Sequence, residues 1–267
     1  MSEKIPVLLI HRGHDEYVQH AINQAVYCGN EVTIITDREY SNCKVVNIGD
    51  FLTMANQFRD IYVPLSTLGD YELFCFQRWF VLYEYMTLNN LLHVFYIDSD
   101  VLLYDDVTND KHYFDNFIFT LILKSVGCCS YFSYIGLSSF CKFLFDIYQN
   151  KTSYEFAKIA SHFSVRQQHG LAGGVCDMTL FEYFGRYKCA NGVGELTFVR
   201  DNSTYDHNIN DKDTFYEFDG TKKINFYGNH PYCFNKFLNT NIRFKSIHFQ
   251  GGSKSLIPDY CTYNKQH

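Results

Sequence analysis

Between residues 5 and 48 the chain switches twice between strand-like and helix-like periodicity, and that alternation restricts the fold more than any other feature. "IPVLLI" (5–10) is a continuous apolar run, the pattern of a strand buried on both faces. Tyr17/Val18, Ala21/Ile22 and Ala25/Val26 then recur every four residues and paint one face of a helix. Gly29-Asn30 stops it, and "EVTIIT" (31–36) is a second β-rich run that ends at Asp37. A strand, helix and strand in this order imply a right-handed crossover and a parallel sheet.

The same logic continues downstream. "CKVVNI" (43–48) predicts a third strand. Residues 71–88 predict a helix with Phe76, Trp79/Phe80, Tyr83 and Met86 on one stripe, and "HVFYI" (93–97) a further strand. Beyond Asp106 the pattern is less regular, with helices expected near 138–149, 153–163 and 177–186. The polar stretch 200–222 reads as a long loop, and "IRFKSIHF" (242–249) as a last strand entering a Gly-Gly turn. Without repeats or a linker, residues 1–267 are expected to form one α/β domain, a sheet-forming half (about 1–106) and an irregular half (about 107–267).

Composition narrows the function classes. An apolar fraction of 46% with 19% charged residues is that of a chain with a real core, not a disordered one. A net charge of −6 without a Lys/Arg run argues against a nucleic-acid partner. The 25 Phe and 22 Tyr exceed what a core needs and leave some rings for exposed surfaces. Ten cysteines, scattered and without a C-x-x-C pair, read as reduced thiols of a cytoplasmic protein. The apolar run near the N-terminus is too short for a signal peptide, and no stretch is long enough for a transmembrane segment. Peripheral membrane attachment is left open, as is the oligomeric state.

The chemistry is concentrated at "VFYIDSDVLLYDD" (94–106). Asp98 and Asp100 stand where an apolar strand stops, which in an open α/β sheet is where a ligand binds. Side chains at i and i+2 of an extended chain point the same way, so the carboxylates converge and repel. A divalent cation removes that conflict, and hard oxygen ligands favour Mg²⁺ or Mn²⁺. The plainer alternative is an acid pair that only caps and turns the chain.

"FYIDSDVLLY" resembles the D-x-D segment of GT-A-fold, nucleotide-sugar-dependent glycosyltransferases, and "HFQGGSK" (248–254) resembles the H-x-x-G-x-x-K motif of their family 8, the glycogenin and bacterial galactosyltransferase group. The Pro-Trp that usually follows that lysine is missing. "CFQRWF" (75–80), "GGVCDMT" (173–179) and "DHNIN" (206–210) are similar to segments of small D-x-D glycosyltransferases of bacterial polysaccharide systems and large algal viruses. The resemblance implies a GT-A, Rossmann-like fold, with a nucleotide-sugar half followed by an acceptor half. It implies Asp98, Asp100 and His248 as ligands of Mn²⁺ (or Mg²⁺), and Ser99, Gly251 and Lys254 as diphosphate contacts. Ile10, His11 and Asp37 would hold the nucleoside of a UDP-sugar.

Other positions have two readings each. Arg78 is a solvated helix residue or points into the diphosphate pocket. Asp177 is a helix cap, or contacts the transferred sugar or acceptor, or is the catalytic base. Asp206 and His207 could reach the acceptor from the polar stretch. His11, His14 and His20 lack a third metal ligand and read as loop and helix-surface residues. The expected activity is transfer of a hexosyl or deoxyhexosyl group to a hydroxyl of a glycan or other acceptor, with stereochemistry undecided. Two rivals are a haloacid-dehalogenase-type phosphatase, disfavoured by Leu102 where a Thr or Val is usual, and a non-catalytic carbohydrate-binding module.

Overall fold

The computed structural model describes residues 4–264, apart from 190 and 213. Residues 1–3 and 265–267, the ends of the expected domain, and Asp213 of the polar stretch lie outside the described residues. The first half runs β1 (Val7–His11), α1 (Glu16–Tyr27), β2 (Val32–Thr36), β3 (Lys44–Asn47), α2 (Thr53–Ile61), α3 (Gly69–Leu88), β4 (His93–Ile97) and β5 (Val101–Leu103). There follow α4 (Lys111–Phe114), β6 (Phe119–Leu121), β7 (Cys129–Ser133), α5 (Tyr134–Gln149), α6 (Tyr154–Gln168), α7 (Asp177–Tyr187) and β8 (Val193–Glu195). The last part holds β9 (Ser203–Tyr205), β10 (Phe218–Asp219), β11 (Thr221–Lys222), β12 (Asn225–Tyr227), β13 (His230–Asn235), β14 (Thr240–His248) and α8 (Ile257–Tyr260).

The central sheet has seven strands in the order β3-β2-β1-β4-β7-β6-β8. β3, β2, β1 and β4 are parallel, β7 is antiparallel to both its neighbours, and β8 is parallel to β6. This is the mixed α/β, Rossmann-like layout expected for a GT-A fold. Successive strand residues go to opposite faces. Leu8, Ile10, Val94 and Tyr96 pack with α3, α5 and α7, while Val7, Leu9, Phe95 and Ile97 pack with Val18, Ile22 and Ala25 of α1. Both faces are covered, so the strands read as unbroken apolar runs. α3 is the central helix. Its Phe76, Trp79, Phe80, Val81, Leu82 and Met86 are fully buried, and each such side chain contributes roughly 1.5–3 kcal/mol.

A second sheet, β12-β13-β14-β5, joins the strand after the aspartates to the last part of the chain. β5 follows the aspartates directly and pairs antiparallel with β14, with His248 opposite Val101. β9 pairs parallel with β14 on its other side. The expected long loop at 200–222 is therefore not one. It contains β9 and β10, and its end enters β11, because its polar residues satisfy their backbone by pairing with neighbouring strands. α5 begins four residues earlier than its apolar pattern suggests, because the Ser133 hydroxyl caps it through Gly136 N–H.

The "GGVCDMT" segment is stitched to the loop before α3. Val175 N–H donates to Leu65 O at 2.7 Å, and Thr67 N–H to Gly173 O at 3.2 Å. At Gly174 a Cβ would lie 2.1 Å from Leu65 O and 2.6 Å from the Ser66 Cα, both backbone atoms. Gly174→Ala must therefore part the two segments, an overpacking strain of about 1–3 kcal/mol or more. A urea unfolding midpoint lowered accordingly, with the slope unchanged, is the expected result.

Candidate metal centre

Residues 98–101 form a tight connection between β4 and β5. Asp98 N–H donates to Cys128 O at 2.7 Å, Val101 N–H to Asp98 O at 3.1 Å, and Phe249 N–H to Asp100 O at 2.9 Å. The last bond and the β5–β14 register bring His248 onto the aspartates from 148 positions beyond Asp100 in the sequence. One ligand atom each from Asp98, Asp100 and His248 lies within 4.8 Å of the others. His248 Nδ1 is 2.7 Å from the His207 carbonyl, which can only accept, so Nδ1 carries a proton and Nε2 faces Asp100 Oδ1 at 3.4 Å. Two carboxylates and an imidazole whose outer nitrogen is already committed fit Mn²⁺, with Mg²⁺ as the harder alternative. A cation held there would offset the negative charge of a diphosphate.

The three carboxylates of the site are each held by cations. Arg78 bridges two of them, with Nη1 2.6 Å from Asp98 Oδ1 and Nη2 2.7 Å from Asp177 Oδ2. Tyr96 hydroxyl donates to the same Asp98 oxygen at 2.8 Å, and the Trp79 indole N–H to Asp177 Oδ2 at 2.9 Å. Burial alone would weaken the charge on Arg78, but Asp98, Tyr96 and Asp177 outweigh it and raise its pKa. Lys254 Nζ lies 3.3 Å from Asp100 Oδ2 and 4.9 Å from the Tyr17 ring centre. Burial pushes the Asp100 carboxyl up, but His248 and Lys254 prevail and hold it below its ordinary value.

The remaining predicted residues divide. His11 ends β1 and is buried, not a loop residue, with Nδ1 3.1 Å from Ser99 Oγ. Burial lowers its pKa, which favours a neutral ring. Ile10, the residue before it in β1, is buried in the core that packs on α3. Asp37 lies on the open rim of β2 and accepts from Gly13 N–H at 2.9 Å, which lowers its pKa. His14 stacks on Tyr40, and His20 bonds the Tyr263 hydroxyl. Gly251, at φ +63°, opens the 3-10 turn that carries Lys254. Asp177 is the first residue of α7 and its cap is Cys176, so the expected capping role belongs to its neighbour. Asp206 is 2% exposed, and with His207 it lines an apolar cavity of about 490 Å³ walled by Phe198, Phe215, Tyr216 and Phe237.

No protein-family model and no curated protein matches the sequence. Among solved structures, the chain is similar to the glycosyltransferase GlyE of Streptococcus pneumoniae TIGR4, at 13% identity and a TM-score of 0.40, over 78% of this chain and 48% of that one. It is also similar to a glycosyltransferase involved in glycosylation of the major capsid of PBCV-1, at 11% identity and a TM-score of 0.28, over 57% of this chain and 68% of that one. The chain thus spans about half the length of the pneumococcal protein.

Sequence reasoning missed Glu72, a buried acid in the first turn of α3. Burial and the nearby Asp177 push its carboxyl up to about 7 from an ordinary 4.5, against a weaker pull from the Ser66 hydroxyl. Nothing in its sequence neighbourhood distinguishes it from a solvated first-turn acid. Because the folded carboxyl keeps its proton longer than the unfolded one, the folded state loses relative stability as pH rises from about 4.5 through about 7. Glu72→Gln removes that loss. Its melting temperature should exceed wild type at pH 8 by a gap worth roughly 2 kcal/mol, and the gap should close toward pH 4.5.

Proposed function

We propose that the protein is a metal-dependent glycosyltransferase of GT-A type. It would move a sugar from a nucleoside diphosphate donor, a UDP-sugar, to a hydroxyl of a glycan or another acceptor. The observation that carries this reading is the convergence of Asp98, Asp100 and His248 within 4.8 Å, at the carboxyl end of β4, with the Lys254 ammonium beside them. A binding module needs no such cluster, and a phosphatase of the dehalogenase type needs its first aspartate free as a nucleophile. Here Asp98 is tied down by Arg78 and Tyr96.

In the reaction, the bond between sugar C1 and the diphosphate oxygen breaks, C1 bonds the acceptor oxygen, and the acceptor proton leaves to a base. Manganese or magnesium between the aspartates and the diphosphate would supply Lewis-acid stabilisation of the leaving group. Lys254 would turn from Asp100 to a phosphate oxygen, on a turn made adaptable by Gly251-Gly252, next to His11 and Ser99. Arg78 and Asp177 would hold the sugar's hydroxyls. Asp177 already accepts from Arg78 and Trp79 at one oxygen and from the Met178 N–H at the other, at 2.9 Å, so donors occupy both. The geometry therefore favours sugar contact over proton abstraction for this residue.

Incubation with a panel of nucleotide sugars and Mn²⁺, without acceptor, tests the reading by slow release of the nucleoside diphosphate. Asp100→Asn keeps the side-chain shape but not the charge. It should lower that release by about 10²–10³-fold while leaving the fold intact. Hydrolysis of phosphomonoesters instead would favour the phosphatase, and sugar binding without any donor cleavage would favour the binding module.

A further inference from the structure

One segment, residues 206–209, holds the backbone N–H, the carbonyl and the Nδ1 of His248. Its backbone N–H approaches Asp206 Oδ2 at 3.3 Å, its carbonyl accepts from Ile209 N–H at 2.9 Å, and its Nδ1 donates to His207 O at 2.7 Å. That segment carries no regular strand of its own, so something else must fix it. Lys222 does so three times. Its Nζ donates to Asp206 Oδ1 at 2.7 Å and to Asn208 O at 2.9 Å, and its backbone N–H donates to Ile209 O at 2.9 Å. The Lys222 and Asp206 side chains are only 4% and 1% exposed, and a charge pair so deeply buried is unusual unless it fixes a geometry.

We propose that Lys222, through its buried pair with Asp206, is the positioning residue that fixes His248 with Nδ1 as donor and Nε2 turned toward Asp98 and Asp100. The inference rests on the metal reading above, and it assigns Asp206 to the support of a ligand rather than to the acceptor. Lys222, which also lines the cavity beside Asp206 and His207, is a positioning residue. It acts through the His207 carbonyl, whose direction decides which nitrogen of His248 carries the proton, and so which one is left to bind metal. The ring's other neighbours are the Asp100 carboxylate and the Cys128 thiol, so the His207 carbonyl is the contact that commits Nδ1.

Binding of Mn²⁺, read from the loss of the free-ion electron paramagnetic signal, tests this without any turnover. Lys222→Met alone strands a buried carboxylate and can unfold the chain. The double variant Asp206→Asn, Lys222→Met removes both charges together and leaves the cavity filled. With its fold intact by circular dichroism, it should bind Mn²⁺ about 10–100-fold more weakly than wild type, the usual effect of losing a supporting partner. Binding within about twofold of wild type overturns the proposal. Histidine-labelled wild-type protein gives an independent reading that no misfolded variant can spoil. A ¹⁵N spectrum with Nδ1 of His248 protonated supports the proposal, and an unprotonated Nδ1 overturns it. Asp100→Asn separates this from the parent reading: if wild type and Asp100→Asn bind Mn²⁺ equally poorly, the metal reading falls, and the Nδ1 signal still decides the positioning.

Discussion

The structure depends on balancing three carboxylates gathered at one end of a buried sheet. Asp98, Asp100 and Asp177 are all poorly accessible to water, and unopposed their like charges would repel one another. Arg78 neutralises two of them from α3, and Lys254 with His248 approaches the third from the C-terminal turn. Each cation comes from a different element, so the charges can only balance once α3, α7, β4 and β14 are all in place. The site and the packing of these elements are consequently one problem. Trp79 ties them further, since its ring packs on Tyr96, Phe132 and Phe181 while its N–H holds Asp177.

What the sequence made legible was local. The strands at 5–10, 31–36, 43–48 and 93–97 and the helices at 17–26 and 71–88 follow from periodicity alone, because a doubly covered parallel sheet writes itself as apolar runs. The Asp98–Asp100 pair was legible from its place at a strand end, and His248 only through the resemblance of the two short motifs. Neither motif says that β5 and β14 pair, which is what joins them. That pairing is non-local and leaves no period in the chain. The polar stretch 200–222 failed for the same reason. Ser203, Thr204 and Tyr205 form a strand only because β14 is there to receive them. Glu72 was missed, and Arg78 left with two readings, for another reason: on a helix that is buried nearly all round, no stripe marks which polar residue faces a partner.

The pairing also explains why the motif at 248–254 begins at a strand end. His248 is the last residue of β14, held by ladder and side-chain bonds, whereas Gly251 two residues after Phe249 takes a left-handed backbone and no Cβ neighbour. Rigidity stops where the ligand ends. Lys254, beyond the glycines, is half-exposed and rests on Asp100 through a flexible four-carbon stem. A fixed imidazole beside a movable ammonium is the arrangement that the proposed cation and diphosphate would need.

The two aspartates, one residue apart, are therefore not equivalent. Arg78 and Tyr96 both address Oδ1 of Asp98, and among the described residues no hydrogen bond reaches its Oδ2. One oxygen of Asp98 belongs to the architecture and the other is left to a ligand. Asp100 has no such structural partner: its neighbours are His248 and Lys254, both parts of the site itself. Loss of the Asp98 charge would leave Arg78 buried with Asp177 as its single carboxylate and so disturb α3 as well as the site. Loss of the Asp100 charge touches only the groups that meet the ligand. The like charges placed side by side at the end of β4 thus resolve into two different settings, one carboxylate anchored to the fold and one met only by His248 and Lys254.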